Sequence, residues 1–380
     1  MAKKLRLLNI IGTRPEAVKM SPVIKVARDH PDIESFLCVT AQHRQMLDQV
    51  LDVFDITPDY DLNLMQPNQS LAQITASILT NLEPILNQIQ PDWIFVQGDT
   101  TTVMTAALLS FYNRIKIGHV EAGLRTGDKW QPFPEEINRK IAGVVADLHL
   151  APTEGARQNL LKEGVENWRI YVTGNPAIDA LRMITSHPAP QEIQVLFDQH
   201  QIGKAGKKLI LVTAHRRENF GQPITDICLA LKTLAKKYEG QFHFVYPVHL
   251  NPNIQEPVYR LLSDQKNITL LPPLDYLPMA HLLKEAYLVL TDSGGIQEEA
   301  AGLQKPALVL REVTERPEGV DAGVLRLVGT NPEKITRNIE ELIEDQKAYL
   351  KMSQSKNPFG DGHAAEKIIE SLLDLDKRVR

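Results

Sequence analysis

Cysteine is nearly absent: only Cys38 and Cys228 occur in 380 residues, far apart and outside any CxxC or Cys/His spacing. That excludes a disulfide scaffold and a zinc site of ordinary ligand spacing. Both positions read as buried thiols in a reducing compartment, so a cytoplasmic chain is expected. An excess of basic charge is also missing. With a formal net charge of -5, no overall positive field draws in nucleic acid or an anionic membrane surface, and neither is expected as a partner. An anionic substrate must therefore be held by a few local basic groups. No apolar run reaches the roughly 18 residues of a membrane span. Near the start, Lys3 and Lys4 precede an apolar stretch, but Arg6 and Asn9 interrupt it and Arg14 follows, which does not make a secretory signal. The GxGxxG fingerprint is lacking too, which argues against NAD; no cofactor and no metal are expected.

What is present is the balance of a globular enzyme, with 43% hydrophobic and 23% charged residues. The length suggests two domains. Short runs rich in Val, Ile and Leu recur between helical stretches, the pattern of buried parallel strands with crossover helices. Leu5 to Ile11, Phe36 to Thr40, Trp93 to Gln97, Lys116 to Val120, His149 to Ala151 and Ile170 to Thr173 form one series. Leu209 to Thr213, Phe242 to Pro247, Ile268 to Leu271, Tyr287 to Thr291 and Ala307 to Leu310 form a second. Between Gly174 and Gly206 polar residues and prolines accumulate, although Ile178 to Ile184 still reads as helical. The expected division is residues 1–174, joined by a C-terminal helix within 363–380, and residues 175–362. In that last helix Ile368, Ile369, Leu372 and Leu373 lie at helical spacing. The fold class is α/β, two Rossmann-like doubly wound domains with a cleft between them at the carboxyl ends of the strands.

Chemistry-bearing residues follow strands in six places. "GTRPEAVKM" combines a tight turn at Gly12, a helix start at Pro15, and the positive charges of Arg14 and Lys19; it is either an anion grip or an ordinary strand-to-helix turn. "GDTTTVMTAAL" places Asp99 at a strand end, where it could serve as a helix cap. In "GHVEAGLRT", His119, Glu121 and Arg125 crowd around the small residues Ala122 and Gly123. "PFPEEINRKIAGVVADL" puts Glu135 and Glu136 in a first helical turn, a position the macrodipole favours for acids whatever their function. "VTAHRRENFG" sets His215, Arg216, Arg217 and Glu218 directly after a strand, a candidate for phosphate binding or proton transfer. "TDSGGIQEEA" opens a helix with Ser293, Gly294 and Gly295, whose free N–H groups and dipole suit a diphosphate. Glu298 and Glu299 lie one turn on, and "LREVTERPEG" adds Arg311 and Arg316.

The segments "GTRPE", "QGDT", "HVEAGLRT", "PFPEE", "AHRREN", "DSGGIQEE" and "ERPEG" occur in this order across roughly residues 5 to 375. Together they resemble the non-hydrolysing UDP-N-acetylglucosamine (UDP-GlcNAc) 2-epimerases. The resemblance implies a GT-B fold and the reversible inversion of carbon 2 of UDP-GlcNAc to give UDP-N-acetylmannosamine (UDP-ManNAc), by elimination of UDP to 2-acetamidoglucal and readdition. It assigns catalysis to Asp99, Glu121, Glu135 and His215. It places the phosphates on Ser293, Gly294 and Gly295 and the ribose on Glu299, with Arg14, Lys19, His215 and Arg316 completing the anion pocket. It also implies a homodimer and an allosteric UDP-GlcNAc site matching Gln42, His43, Gln45, Arg216 and His249. The chain departs from the regulated members at Asn68, about where they carry a basic residue. Leu274 and Met279 stand where other uracil-contacting types are frequent. Three other readings share much of this pattern: a hydrolysing epimerase, a GT-B glycosyltransferase, and a UDP-sugar-binding protein without turnover. The carboxylates of "HVEAGLRT" and "PFPEE" favour the epimerase.

Overall fold

A computed structural model describes residues 3–40, 44–64, 66, 69–203 and 206–379, with backbone alone at 44–46 and 379. The chain forms two units, Met1–Met183 with Gly360–Arg380, and Ile184–Phe359.

In the first unit, β1 (Leu5–Ile11), β2 (Ile33–Val39), β3 (Tyr60–Asp61), β4 (Trp93–Gln97), β5 (Lys116–Val120), β6 (Leu148–Ala151) and β7 (Ile170–Val172) make one parallel sheet in the order β3-β2-β1-β4-β5-β6-β7. Helices cover its faces, so central strands such as "WIFVQ" are buried along their whole length rather than alternating. The polar Asn9 is tolerated inside β1 because its amide donates to Ser35 Oγ at 3.1 Å and to the Phe36 carbonyl at 3.0 Å.

The second unit repeats the plan. β8 (Lys208–Thr213), β9 (Phe242–Pro247), β10 (Ile268–Leu271), β11 (Ala286–Thr291), β12 (Ala307–Val309) and β13 (Leu325–Leu327) pair in parallel in the order β10-β9-β8-β11-β12-β13. In each sheet the strand order reverses once, between β1 and β4 and between β8 and β11. Loops leaving neighbouring strands there diverge to opposite faces and open a crevice beyond the strand ends, which is where doubly wound sheets bind ligands.

The terminal helix Ala364–Val379 belongs to the first unit. It buries Ile368, Ile369, Leu372 and Leu375, whereas Leu373 is half-buried. At about 1.5–3 kcal/mol per fully buried aliphatic side chain, this stripe contributes several kcal/mol. Polar contacts set its register: Asp376 Oδ1 accepts from Trp93 Nε1 at 2.9 Å and lies 3.2 Å from Lys116 Nζ. Tyr171 donates to Asp374 at 2.7 Å. The two strands with no counterpart in the sequence reading, β3 and β13, have only two and three residues, too few for any periodicity to register.

Candidate active site

The first unit gathers its acids at the β1/β4 switch point. Glu121 directly follows β5 with a left-handed backbone, φ 64°. A non-glycine residue there is uncommon and carries strain that the surroundings must hold. They do so through the side chain: Lys19 Nζ lies 2.7 Å from both carboxylate oxygens, Asn175 Nδ2 donates at 3.2 Å, and Gln97 Nε2 donates as well. Donors from three other segments thus hold the Glu121 carboxyl in place.

Asp99 is not the cap of the helix it precedes. Thr100 is, accepting from Val103 N at 3.3 Å, which leaves the Asp99 carboxylate to pair with Arg139. Burial pushes the Asp99 carboxyl above its ordinary range; Arg139 opposes that and Glu121 reinforces it. Glu135 stands one helical turn before Arg139, and its Oε2 is buried without a hydrogen-bond partner among the described residues. Its neighbour Glu136 is structural, fully buried and accepting from Thr126 N and Gly127 N at 3.2 Å each.

Beneath these acids lies His119, 1% exposed. Burial holds its imidazole down at about 4, so it is neutral near pH 7. A carbonyl can only accept, so the 2.7 Å contact to Gly98 O fixes the Nε2–H tautomer and ties down the residue before Asp99. His119 is thus a buried support, and Arg125 turns to Glu163 at 2.7 Å. The "GTRPE" turn is occupied from within: Glu16 accepts from Gly12 N, from Thr13 N at 2.8 Å and from Thr100 Oγ1. The helix N-terminus there already holds a carboxylate. Arg14 forms no ion pair among the described residues and is half-buried.

At the β8/β11 switch point of the second unit, Ser293 is the N-cap of the helix Gly294–Gly302 and makes no side-chain capping bond. Gly295 has nothing within 4 Å of where a Cβ would sit, and Gly294 nothing closer than 3.7 Å. The first turn therefore presents open backbone donors. Arg316 flanks it, paired with Glu298. His215 leaves β8 and stacks on His249 with centroids 5.7 Å apart. Burial lowers the His215 imidazole below its ordinary value; Asp292 opposes that, and Arg216 and His249 add to it. Arg311 is engaged by Glu218 at 2.5 Å.

Residues 25–373 match the UDP-N-acetylglucosamine 2-epimerase family. The chain belongs to that family. It is 51% identical to the UDP-N-acetylglucosamine 2-epimerase of Salmonella typhimurium over 97% of this chain and 98% of that one. The crystal structure of the Neisseria meningitidis UDP-GlcNAc 2-epimerase bound to UDP-GlcNAc superposes with a TM-score of 0.86 at 47% identity, covering 97% of this chain and all of the other. A Listeria monocytogenes structure reaches a TM-score of 0.93 at 43% identity, over 99% and 97% of the two chains. The two Rossmann-like units with interleaved helices have the GT-B architecture.

Within this epimerase-family chain the structure brings Asp99, Glu121 and Lys19 together in one unit, and His215, Ser293, Gly294, Gly295 and Arg316 in the other. Glu299 lies in the same helix, half-buried. Of the residues matched to an allosteric site, Arg216 and His249 adjoin His215. Gln42, His43 and the side chain of Gln45 lie outside the described residues, as does Asn68. Sequence reasoning passed over Asp292, Arg139, Gln97 and Asn175. Asp292 and Arg139 carried a signal, one opening "DSGG" after a strand and the other four residues beyond Glu135. Gln97 and Asn175 carried none, since only the packing of β4 and the segment after β7 takes their amides to Glu121.

Proposed function

We propose that the chain interconverts UDP-GlcNAc and UDP-ManNAc by elimination and readdition. Carbon 2 bears no adjacent carbonyl, so its proton becomes removable as the C1–O bond to UDP breaks and positive charge develops on the sugar. The leaving electron pair goes to the UDP β-phosphate, and the carbon 2 proton goes to a carboxylate, giving 2-acetamidoglucal. The return step delivers a proton to the opposite face of carbon 2 and re-forms C1–O. Asp99, Glu121 and Glu135 would work at carbon 2. Ser293, Gly294, Gly295, His215, Arg316 and Arg14 would hold the diphosphate, and Glu299 the ribose. Lys19 would act mainly by holding the Glu121 carboxyl.

The carrying observation is that the three acids have different environments. Glu121 is clamped by a cation and two amides, while burial holds the Asp99 carboxyl upward beside Arg139. Separated proton affinities let one group take a proton while another supplies one. A glycosyltransferase acting only at carbon 1 has no use for that set.

We place the enzyme in the cytoplasm, in keeping with its two buried free thiols. We also propose a homodimer. Phe111, Tyr112 and Val144 are all more than half exposed at the C-terminal ends of two packed helices, Thr101–Tyr112 and Glu135–Val145. Lone exposed apolar residues are ordinary, but such a group suits a self-complementary face.

The deciding experiment is a proton and carbon NMR time course of UDP-GlcNAc with enzyme in deuterated water. UDP-ManNAc should appear with deuterium at carbon 2, recovered substrate should acquire it too, and free ManNAc should stay a trace. Unlabelled carbon 2 would defeat the elimination route. Irreversible release of ManNAc and UDP would make the enzyme a hydrolysing one.

A further inference from the structure

Asp292, at the second unit's switch point, is a carboxylate fully shielded from solvent between β11 and Ser293. Its two oxygens do different work. Oδ2 accepts from three N–H groups: His215 N at 2.7 Å, Arg216 N at 2.8 Å and Asn219 Nδ2 at 2.8 Å. Oδ1 lies 3.2 Å from His215 Nδ1, and it is buried without a well-aligned hydrogen bond among the described residues. A buried carboxylate oxygen in that position strongly favours a proton on the atom it faces.

We infer that Asp292 is a positioning residue for His215: its Oδ1 holds the imidazole as the Nδ1–H tautomer, which leaves Nε2 to receive a proton and present it to a phosphate. The inference rests on the reading of His215 as a phosphate-facing residue. Three donors pin Oδ2, so the carboxylate cannot turn, and only a small ring rotation is needed to align Nδ1–H. The groups that face the imidazole are Asp292, Arg216 and His249, with Glu315 3.9 Å from Arg216. Arg216 and His249 disfavour an imidazolium, and Asp292 alone of these favours it. As phosphate approaches Nε2, the carboxylate behind Nδ1 lets the ring take up a proton and hold the departing UDP oxygen.

The same asymmetry makes Asp292→Asn informative. In that variant the oxygen of the new amide must take the Oδ2 side, because three N–H donors converge there. Its NH2 group then faces His215 Nδ1 and can only donate, so the ring must flip to the Nε2–H tautomer. Long-range 15N–1H correlation spectra of the labelled full-length chain at pH 8 read this directly, with His215 assigned by the signal missing from His215→Asn. The wild type should show Nδ1–H and the variant Nε2–H. Turnover of UDP-GlcNAc by Asp292→Asn should fall about a hundredfold or more. Relative to the variant, the wild type should gain affinity for UDP on acidification, since the phosphate's own titration near about pH 6 is common to both.

A wild-type Nε2–H ring overturns the inference, even if the variant fails to fold. So does an Asp292→Asn ring that keeps the wild-type tautomer. If both tautomers behave as stated but His215→Asn retains full turnover, the contact stands and the functional reading of His215 falls.

Discussion

Removing charge from Glu121 should cost stability as well as turnover, and the geometry sets the size. Lys19 Nζ stands 2.7 Å from both oxygens, with 5% of the Glu121 side chain and 21% of Lys19 exposed. At an effective dielectric constant of about 20 the gross attraction at that distance is roughly 6 kcal/mol. Desolvation offsets much of it, and breaking one side of a buried pair costs about 3–5 kcal/mol. Because Lys19 reaches solvent, the low end applies. Glu121→Gln also turns one acceptor into an NH2 that must face either Lys19 or one of the amides of Gln97 and Asn175. We expect Glu121→Gln and Lys19→Met each to lose about 3 kcal/mol in urea denaturation, and the double variant to lose about 2 kcal/mol less than their sum. Turnover should fall at least about a hundredfold for Glu121→Gln, the usual scale for a positioned acid or base. Asp99→Asn and Glu135→Gln should lose activity on the same scale with stability changes near about 1 kcal/mol, since neither holds so many donors. If the two single losses add within about 0.5 kcal/mol, Lys19 and Glu121 are not a coupled pair.

Gly294→Val should weaken UDP binding at least about a hundredfold by calorimetry, roughly 3 kcal/mol. The fold should survive, because an added Cβ meets no heavy atom closer than 3.7 Å; unchanged affinity in the folded variant would remove the diphosphate from this turn. Val144→Asp should convert a dimer to a monomer in sedimentation equilibrium, and a wild-type monomer at micromolar concentration would refute the proposed face. His119 is held down at about 4, so between that value and its ordinary 6.5 the unfolded chain binds a proton that the folded one refuses. Its contribution to stability is therefore present above about pH 6.5 and is lost, by about 3 kcal/mol in total, as pH falls toward about 4. In His119→Gln the pH slope of stability across that window should be shallower by the histidine's share; an unchanged slope would contradict a buried neutral ring.

Most of the α/β framework was legible because buried parallel strands are written as local runs. "LRLLNII", "WIFVQ" and "FHFVYP" identify themselves, and the residues just beyond such runs include Asp99, Glu121, His215 and Ser293. The chemical type of each was equally local. What each side chain does was not. Glu135 and Glu136 are neighbours with the same helical context, yet Glu136 is closed off by Thr126 N and Gly127 N while Glu135 keeps an unpartnered oxygen among the described residues. Lys19 read as a phosphate ligand because its charge suits an anion. A residue 102 positions away decides where that charge goes. Partnership of this kind depends on strand order, which the sequence pattern constrains only in class.

The cations near the proposed diphosphate turn of the second unit are largely spoken for. Arg316 is matched by Glu298, Arg311 by Glu218, and Arg216 lies 3.9 Å from Glu315. On the proposed function, unpaired arginines of this unit would therefore not be the main resource for holding UDP. Backbone N–H groups at Gly294 and Gly295, the dipole of their helix, and a histidine backed by Asp292 are better suited, because each is oriented before the substrate arrives. Donors fixed in advance cost no reorganisation when the C1–O bond breaks, and they stabilise the added negative charge on the departing phosphate more than they stabilise the bound substrate. That difference is what an elimination at an unactivated carbon requires.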